Sequence, residues 1–235
     1  MTSSVLVFPA AVLVWLLPGS KRRRWRAGKA LIRLFFRFFV GLMRTLGVLD
    51  LEASGLEGLR CGGRFIIANH PTLIDFVLLA AIVPRADCLV KSSLYRHWAM
   101  RWPVGLAGYI PNDLGEETLE LCRRSLESGN SLVIFPEGTR STPGEPLALR
   151  RGAAQLALRC GGEVTQVVLD CPSSHLERGG RWYLAPPKKA RMRVEVLEPL
   201  DTAPFLAAGG GQATLAARAL TALFERRFHE VLDRG

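Results

Sequence analysis

The sequence predicts an α/β fold: a mostly parallel or mixed sheet flanked by helices, with a pair of membrane-associated helices in front of it. Three observations lead there. From about residue 64 onward, apolar runs of strand length alternate with helical patterns, the arrangement that buries a sheet between helices. A length of 235 residues with 49% hydrophobic and 22% charged side chains suffices for one good-sized core and argues against extensive disorder. The net charge of +10 is unevenly spread: nine Lys and Arg face a single acid, Asp50, in residues 1–50, leaving 22 of 31 basic and 20 of 21 acidic residues for a nearly neutral remainder. That division predicts N-terminal membrane-binding helices over 1–50 and one further domain over 51–235.

Residues Val5 to Leu17 are uncharged and mostly apolar, with Pro9 inside and Lys21-Arg22-Arg23-Arg24 beyond. Thirteen helical residues span about 20 Å, short of a ~30 Å hydrocarbon core, so this segment is expected to enter a bilayer without fully crossing it. A spanning anchor that starts nearer Met1 is the alternative. The charge follows the apolar stretch and no small-residue cleavage site appears, which argues against a secretory signal. In the next segment, Arg26 to Leu46, the residues Arg26, Lys29, Arg33, Arg37 and Arg44 share an arc of roughly 80° on a helical wheel. Leu31, Ile32, Leu34, Phe35, Phe36, Phe38, Phe39, Val40, Leu42 and Met43 fill the rest. Such a helix lies in the membrane interface, with its cationic stripe level with the phosphates. The competing arrangement packs the apolar side on the domain.

After a glycine-rich link around Gly55 to Gly63, Phe65 to Ala68 reads as a buried strand, and Pro71 suits the first position of a helix running through Ala81. Cys88 to Val90 is the next strand, followed by a helix around Leu94 to Trp102 and a turn at Pro111-Asn112-Asp113. Glu116 to Ser128 presents Leu119, Cys122 and Leu126 on one helical face before Gly129. Ser131 to Phe135 is a strand, Arg150 to Cys160 a helix stopped by Gly161-Gly162, and Val164 to Leu169 a strand. Trp182 to Leu184 and Met192 to Leu197 complete the sheet, and Gln212 to Leu232 is a closing amphipathic helix.

Two strings placed at strand exits carry chemistry: Asn69-His70-Pro71-Thr72-Leu73-Ile74-Asp75 and Phe135-Pro136-Glu137-Gly138-Thr139-Arg140-Ser141. Ligands gather where strands end and helices begin in such sheets. With His70 capping its helix, Asp75 accepts from one ring nitrogen and leaves the other as a general base, as in a Ser-His-Asp triad with the substrate hydroxyl in place of serine. The second string offers an approachable backbone amide, a hydroxyl and a guanidinium, which suit a phosphate or an oxyanion. Taken singly, the first string equally describes a cap beside a solvated acid, and the second an ordinary turn.

In series, 67 positions apart from His70 to Glu137, the two strings resemble the glycerolipid acyltransferase family, the lysophosphatidate or PlsC-like acyltransferases. The resemblance covers about Arg64 to Leu169 and extends to the N-terminal pair of helices. It implies an acyltransferase domain over 51–235, with His70 as general base and Asp75 as its orienter. The acceptor hydroxyl then attacks the thioester of acyl-CoA or an acyl carrier protein without a covalent acyl-enzyme. Glu137, Gly138, Thr139 and Arg140 bind the acceptor, with Arg140 on its phosphate, and Lys91 lies where the family often has an assisting basic residue. The implied partners are membrane lipids and a lyso-lipid acceptor such as 1-acylglycerol-3-phosphate, and the implied place is the cytoplasmic face of the bacterial inner membrane. Two departures mark a divergent branch. The phosphate-contacting arginine of the family's second motif is absent from Gly108-Tyr109-Ile110-Pro111-Asn112-Asp113-Leu114, and Gln166 stands before Val167-Val168 where a proline is usual. A different acceptor, in a specialised lipid or aryl-polyene pathway, is therefore the alternative.

Composition excludes other classes. Cys61, Cys88, Cys122, Cys160 and Cys171 are odd in number with no CxxC pair, and His70, His97, His175 and His229 include no helical ligand pair, so neither a metal nor any other cofactor is expected. Basic charge among apolar residues favours lipid over nucleic acid. No GxSxG elbow supports a serine lipase. A catalytically idle membrane-binding protein is the nonenzymatic rival, against which the joint presence of His70, Asp75, Glu137 and Arg140 argues. Arg150-Arg151 read as solvated arginines at a helix start, with a donor phosphate as their functional alternative.

Overall fold

The computed structural model describes residues 14, 18–142, 144–160, 162–172, 176, 189–208 and 212–234. In chain order these form α1 (Lys21–Thr45), β1 (Leu49–Ser54), α2 (Glu57–Arg60), β2 (Phe65–Ala68), α3 (Asp75–Ile82) and β3 (Ala86–Val90). There follow α4 (Ser93–Arg96), α5 (Arg101–Ala107), β4 (Ile110–Pro111), α6 (Glu116–Glu127), β5 (Ser131–Ile134) and α7 (Arg151–Cys160). The chain closes with β6 (Glu163–Asp170), β7 (Ala190–Val196), β8 (Leu200–Asp201), α8 (Ala203–Ala208) and α9 (Ala213–Leu232).

The strands form one mixed sheet in the order β1-β7-β6-β2-β5-β3-β4, with β8 also on β6. Neighbours are parallel except where β6 meets β7 and β8. Period-two alternation explains why central strands read as continuous apolar runs. In β2, Phe65 and Ile67 enter a core shared with α6, α7 and α9, whereas Ile66 and Ala68 enter the core under α1 and α3. All four are buried, so the sheet is covered on both faces.

Helix α1 begins earlier than the pattern suggests because the Ser20 hydroxyl accepts the Arg23 amide at 3.3 Å and caps it. Its wheel divides into three faces. Ile32 and Val40 are buried, with Phe36 and Met43 packed beside them. Arg26, Arg37 and Arg44 are exposed. Leu34, Phe38 and Leu42, spaced four apart, form an outward apolar face on which Leu34 and Phe38 are each 66% exposed. The expected cationic stripe is therefore incomplete. Lys29 turns inward to Asp87 at 2.7 Å, and the Arg33 guanidinium donates to the carbonyls of Ala81 and Ile82 at 3.3 and 3.0 Å, closing the C-terminus of α3. Close seating also requires Gly28: a Cβ there would lie 2.2 Å from the Leu106 carbonyl oxygen.

Four expectations are corrected. Pro71 does not start a helix and His70 does not cap one: α3 begins at Asp75, because the Asp75 carboxylate accepts from the Thr72 amide and hydroxyl and holds residues 71–74 in a turn. The helix expected over Leu94 to Trp102 is broken into α4 and α5, since Pro103 is tolerated in a first helical turn but not inside a continuous helix. The glycine-rich link follows a strand, β1, which pairs with β7 along its whole length, and it contains the short helix α2. The elements β8 and α8 were not anticipated. Trp182 to Leu184, His175 and, apart from Val14, Val5 to Leu17 lie outside the described residues. No helix among the described residues is long and apolar enough to cross a membrane.

Candidate active site

β2 and β5 are parallel neighbours with Ile67 paired to Ile134, so their C-terminal exits lie side by side. The two strings thus meet, and two main-chain contacts fasten them. The His70 amide donates to Glu137 Oε1 at 2.7 Å, and the Ser141 amide donates to the His70 carbonyl at 2.8 Å. On the other flank Asn69 exchanges two hydrogen bonds with the Leu169 backbone on β6, both at 2.7 Å. The exit of β2 is therefore held from both neighbouring strands.

His70 Nδ1 lies 2.7 Å from Asp75 Oδ2. The turn over residues 71–74 brings them together: five positions would not face each other on a helix. Asp75 is fully buried and also accepts from the Thr72 amide at 2.7 Å and, through its other oxygen, from the Thr72 hydroxyl. A neutral imidazole that donates Nδ1–H to this carboxylate keeps its lone pair on Nε2. The Phe135 ring stacks on the imidazole with centroids 4.3 Å apart and planes inclined by 26°, restricting the ring further. Burial pushes the Asp75 carboxyl above its ordinary pKa, while the hydrogen bonds from His70 and Thr72 pull it down. Glu137 is also raised, mainly by burial, with the Asp75 charge adding to the rise against bonds from Ser141 and the His70 amide.

Beside this pair lies a cavity of about 590 Å³. Glu137, Thr139, Arg140 and Ser141 line one part of it, and His229 and Leu232 of α9 another. Gly138 makes the turn possible: its φ is +73° and its amide donates to the Phe135 carbonyl at 3.1 Å. Lys91 does not join them. It is exposed at the exit of β3 and is absent from the cavity wall. At the position of the missing arginine, Asp113 accepts from the Ser92 hydroxyl. Gln166 is buried and donates to the Phe224 carbonyl at 3.1 Å, so this departure ties β6 to α9 rather than altering the cavity. Among the described residues no cluster of His, Cys, Asp and Glu could hold a metal ion.

The sequence reading did not single out Thr72, Asn69 or Phe135. Each stands inside or next to a noted string, and a polar residue three positions before a buried Asp is the signal that would have pointed to Thr72.

A family model described as Acyltransferase matches residues 50–172. The chain is 29% identical over 181 residues to a 1-acyl-sn-glycerol-3-phosphate acyltransferase of Saccharomyces cerevisiae, covering 71% of this chain and 56% of that one. It is 27% identical over 167 residues to the protein of the same name from Helicobacter pylori, covering 68% and 66%. The chain spans about half the length of several such relatives, including 41% of the chloroplastic Arabidopsis thaliana protein LPAT1. A crystal structure of PlsC, the 1-acyl-sn-glycerophosphate acyltransferase of Thermotoga maritima, superposes with a TM-score of 0.69 over 96% of this chain and 88% of that one at 19% identity, which shows the shared fold. With a family match over more than half of its length and both motifs joined in one site, the chain belongs to the Acyltransferase family, that of the glycerolipid acyltransferases.

Proposed function

We propose that the protein is a membrane-associated O-acyltransferase that moves a fatty acyl group from acyl-CoA or an acyl carrier protein to the hydroxyl of a lysophosphatidate-type acceptor. The observation that carries this reading is the 2.7 Å contact between His70 Nδ1 and the buried Asp75 carboxylate at the mouth of the strand exits. His70 Nε2 removes the acceptor's hydroxyl proton as its oxygen attacks the thioester carbonyl; the thiolate leaves and takes up the proton from the imidazolium. Asp75 stabilises that imidazolium. Arg140, with Thr139 and the Gly138 turn, positions the acceptor head, and Glu137 holds the His70 main chain while shaping the cavity. The cytoplasmic face of a bacterial inner membrane, where both donor and acceptor are supplied, is the proposed location.

The test is ester formation by the purified protein with acyl-CoA and, separately, acylated carrier protein, against lysophosphatidate, lysophosphatidylethanolamine and monoacylglycerol. Lysophosphatidate is expected to react fastest. No product with any pair would overturn the reading.

Membrane attachment rests on α1. Burying a Phe or Leu is worth about 1.5–3 kcal/mol, so the mostly exposed Leu34 and Phe38 retain roughly 1–2 kcal/mol each to gain from acyl chains, beside cationic Arg26, Arg37 and Arg44. Replacing Leu34, Phe38 and Leu42 by Ser is expected to lower partition onto anionic liposomes at least tenfold with little change in Tm. Unaltered cosedimentation would refute this face as the attachment site.

A further inference from the structure

Arg150 and Arg151 are adjacent in sequence but do not face the same space. Both are exposed, but Arg150 lines the 590 Å³ cavity together with Thr139, Arg140 and Ser141, whereas Arg151 lies outside the cavity wall. The Arg150 main chain is fixed to the second string, its amide donating to the Pro136 carbonyl at 2.8 Å. Its side chain lies across the Gly138 turn, where a Cβ on Gly138 would stand 3.0 Å from Arg150 Nε and 3.2 Å from Cζ. Gly138 therefore does two things: it permits the turn, and it leaves room for a guanidinium beside Arg140.

That guanidinium is uncompensated. Arg124, Arg159 and Arg193 each pair with a carboxylate, but Arg150 pairs with none among the described residues. Glu145 and Asp233 also line the cavity without reaching ion-pair distance of it, and Asp170 is engaged by Arg193 at 3.4 Å. A planar, permanently charged group at a cavity wall, beside a second one, is suited to two-point recognition of a phosphate.

We propose that Arg150 is an acceptor-binding residue: with Arg140 it holds the anionic phosphate monoester of the acceptor and supplies the cationic contact that the chain lacks around Asp113. The proposal rests on the acyltransferase reading and deepens it, by assigning the acceptor-head contact to a residue outside both strings.

Four proteins decide it: native, Arg150→Gln, Arg150→Lys and Arg151→Gln, assayed with lysophosphatidate and with phosphate-free monoacylglycerol at saturating acyl-CoA. Arg150→Gln is expected to raise KM for lysophosphatidate at least tenfold with kcat changed less than threefold, and to leave any turnover of monoacylglycerol unaltered. Arg150→Lys recovers part of the loss, and Arg151→Gln matches the native protein. An unchanged KM in folded Arg150→Gln overturns the proposal. So does a rise in KM for acyl-CoA in place of the acceptor, which assigns the arginine to the donor. Binding of glycerol 3-phosphate and of inorganic phosphate, followed by ligand-detected NMR, separates this proposal from the reaction itself. Saturable binding of glycerol 3-phosphate that Arg150→Gln abolishes supports the contact even if no acyl transfer is found; binding equal in both proteins overturns it. Inorganic phosphate bound equally well by the native protein would assign the contact to the phosphate alone and not to its glycerol ester.

Discussion

His70→Ala is expected to lower thioester-dependent acylation by roughly 10²–10⁴-fold, the contribution of one positioned general base. KM for the acceptor should change little, because the cavity wall proposed to hold its head is formed by other residues. Folding should survive, since the imidazole side chain retains 22% exposure and packs mainly on Phe135. Asp75→Asn separates chemistry from stability more sharply. Oδ2 accepts from both His70 Nδ1 and the Thr72 amide, so an Asn either keeps an oxygen there without the charge that stabilises the imidazolium or turns its NH2 against both groups, and in either case the rate should fall. Stability should behave differently. Burial raises the Asp75 pKa in the folded state, so this carboxyl stabilises most below its unfolded pKa and loses that contribution as pH rises through the folded value. At neutral pH the Asn variant is relieved of that cost of burying a charge but weakens the Thr72 turn, so its Tm should fall far less than its activity. Native turnover in folded His70→Ala would remove His70 from the chemistry, and native turnover in folded Asp75→Asn would remove Asp75 as its orienter.

The legibility of this site followed the range of the interactions that build it. Strands such as Phe65–Ala68 and Ser131–Ile134 announce themselves through apolar runs, and the two strings are local, so the α/β class and the placing of both strings at strand exits were readable. Their meeting was not, because it depends on β2 and β5 being neighbours and on the His70–Glu137 bond across 67 positions. The start of α3 was misplaced for a local reason: Pro71 favours a helix start, but the Asp75 carboxylate prefers to accept the Thr72 amide and hydroxyl. Helix α1 shows the limit of a helical wheel. Periodicity grouped Lys29 and Arg33 with the exposed arginines, yet a buried carboxylate on β3 and two free carbonyls at the end of α3 turned both inward. Arg150 and Arg151 could not be told apart in the sequence, where both read as solvated arginines with a donor phosphate as the alternative, because only the fold places Arg150 across the Gly138 turn.

Lys29→Met is expected to destabilise the protein by about 3–5 kcal/mol, the cost of leaving one member of a buried ion pair alone. For a chain of this size that corresponds to a fall in Tm of roughly 6–20 °C. Lys29 Nζ and Asp87 Oδ2 are 2.7 Å apart with side chains only 4% and 3% exposed, and the Ser125 hydroxyl donates to the same oxygen at 2.6 Å. Asp87 Oδ1 has no partner among the described residues, so little remains to hold the charge once the ammonium is gone. pH supplies the signature. Burial already raises the Asp87 pKa, and Lys29 is the largest influence pulling it down. Without Lys29 the folded-state pKa rises further, so the variant is penalised most at neutral pH, where Asp87 must ionise or bind a proton against the solution. The deficit should shrink as the pH falls toward the ordinary carboxylate range, in which both states are protonated. The double variant Lys29→Met with Asp87→Asn should recover most of the loss at neutral pH. A single variant with native Tm throughout would mean that packing of Gly28 on Leu106, rather than the ion pair, seats α1. Because α1 also carries the outward Leu34, Phe38 and Leu42, either result identifies what couples the proposed membrane face to the sheet that holds His70.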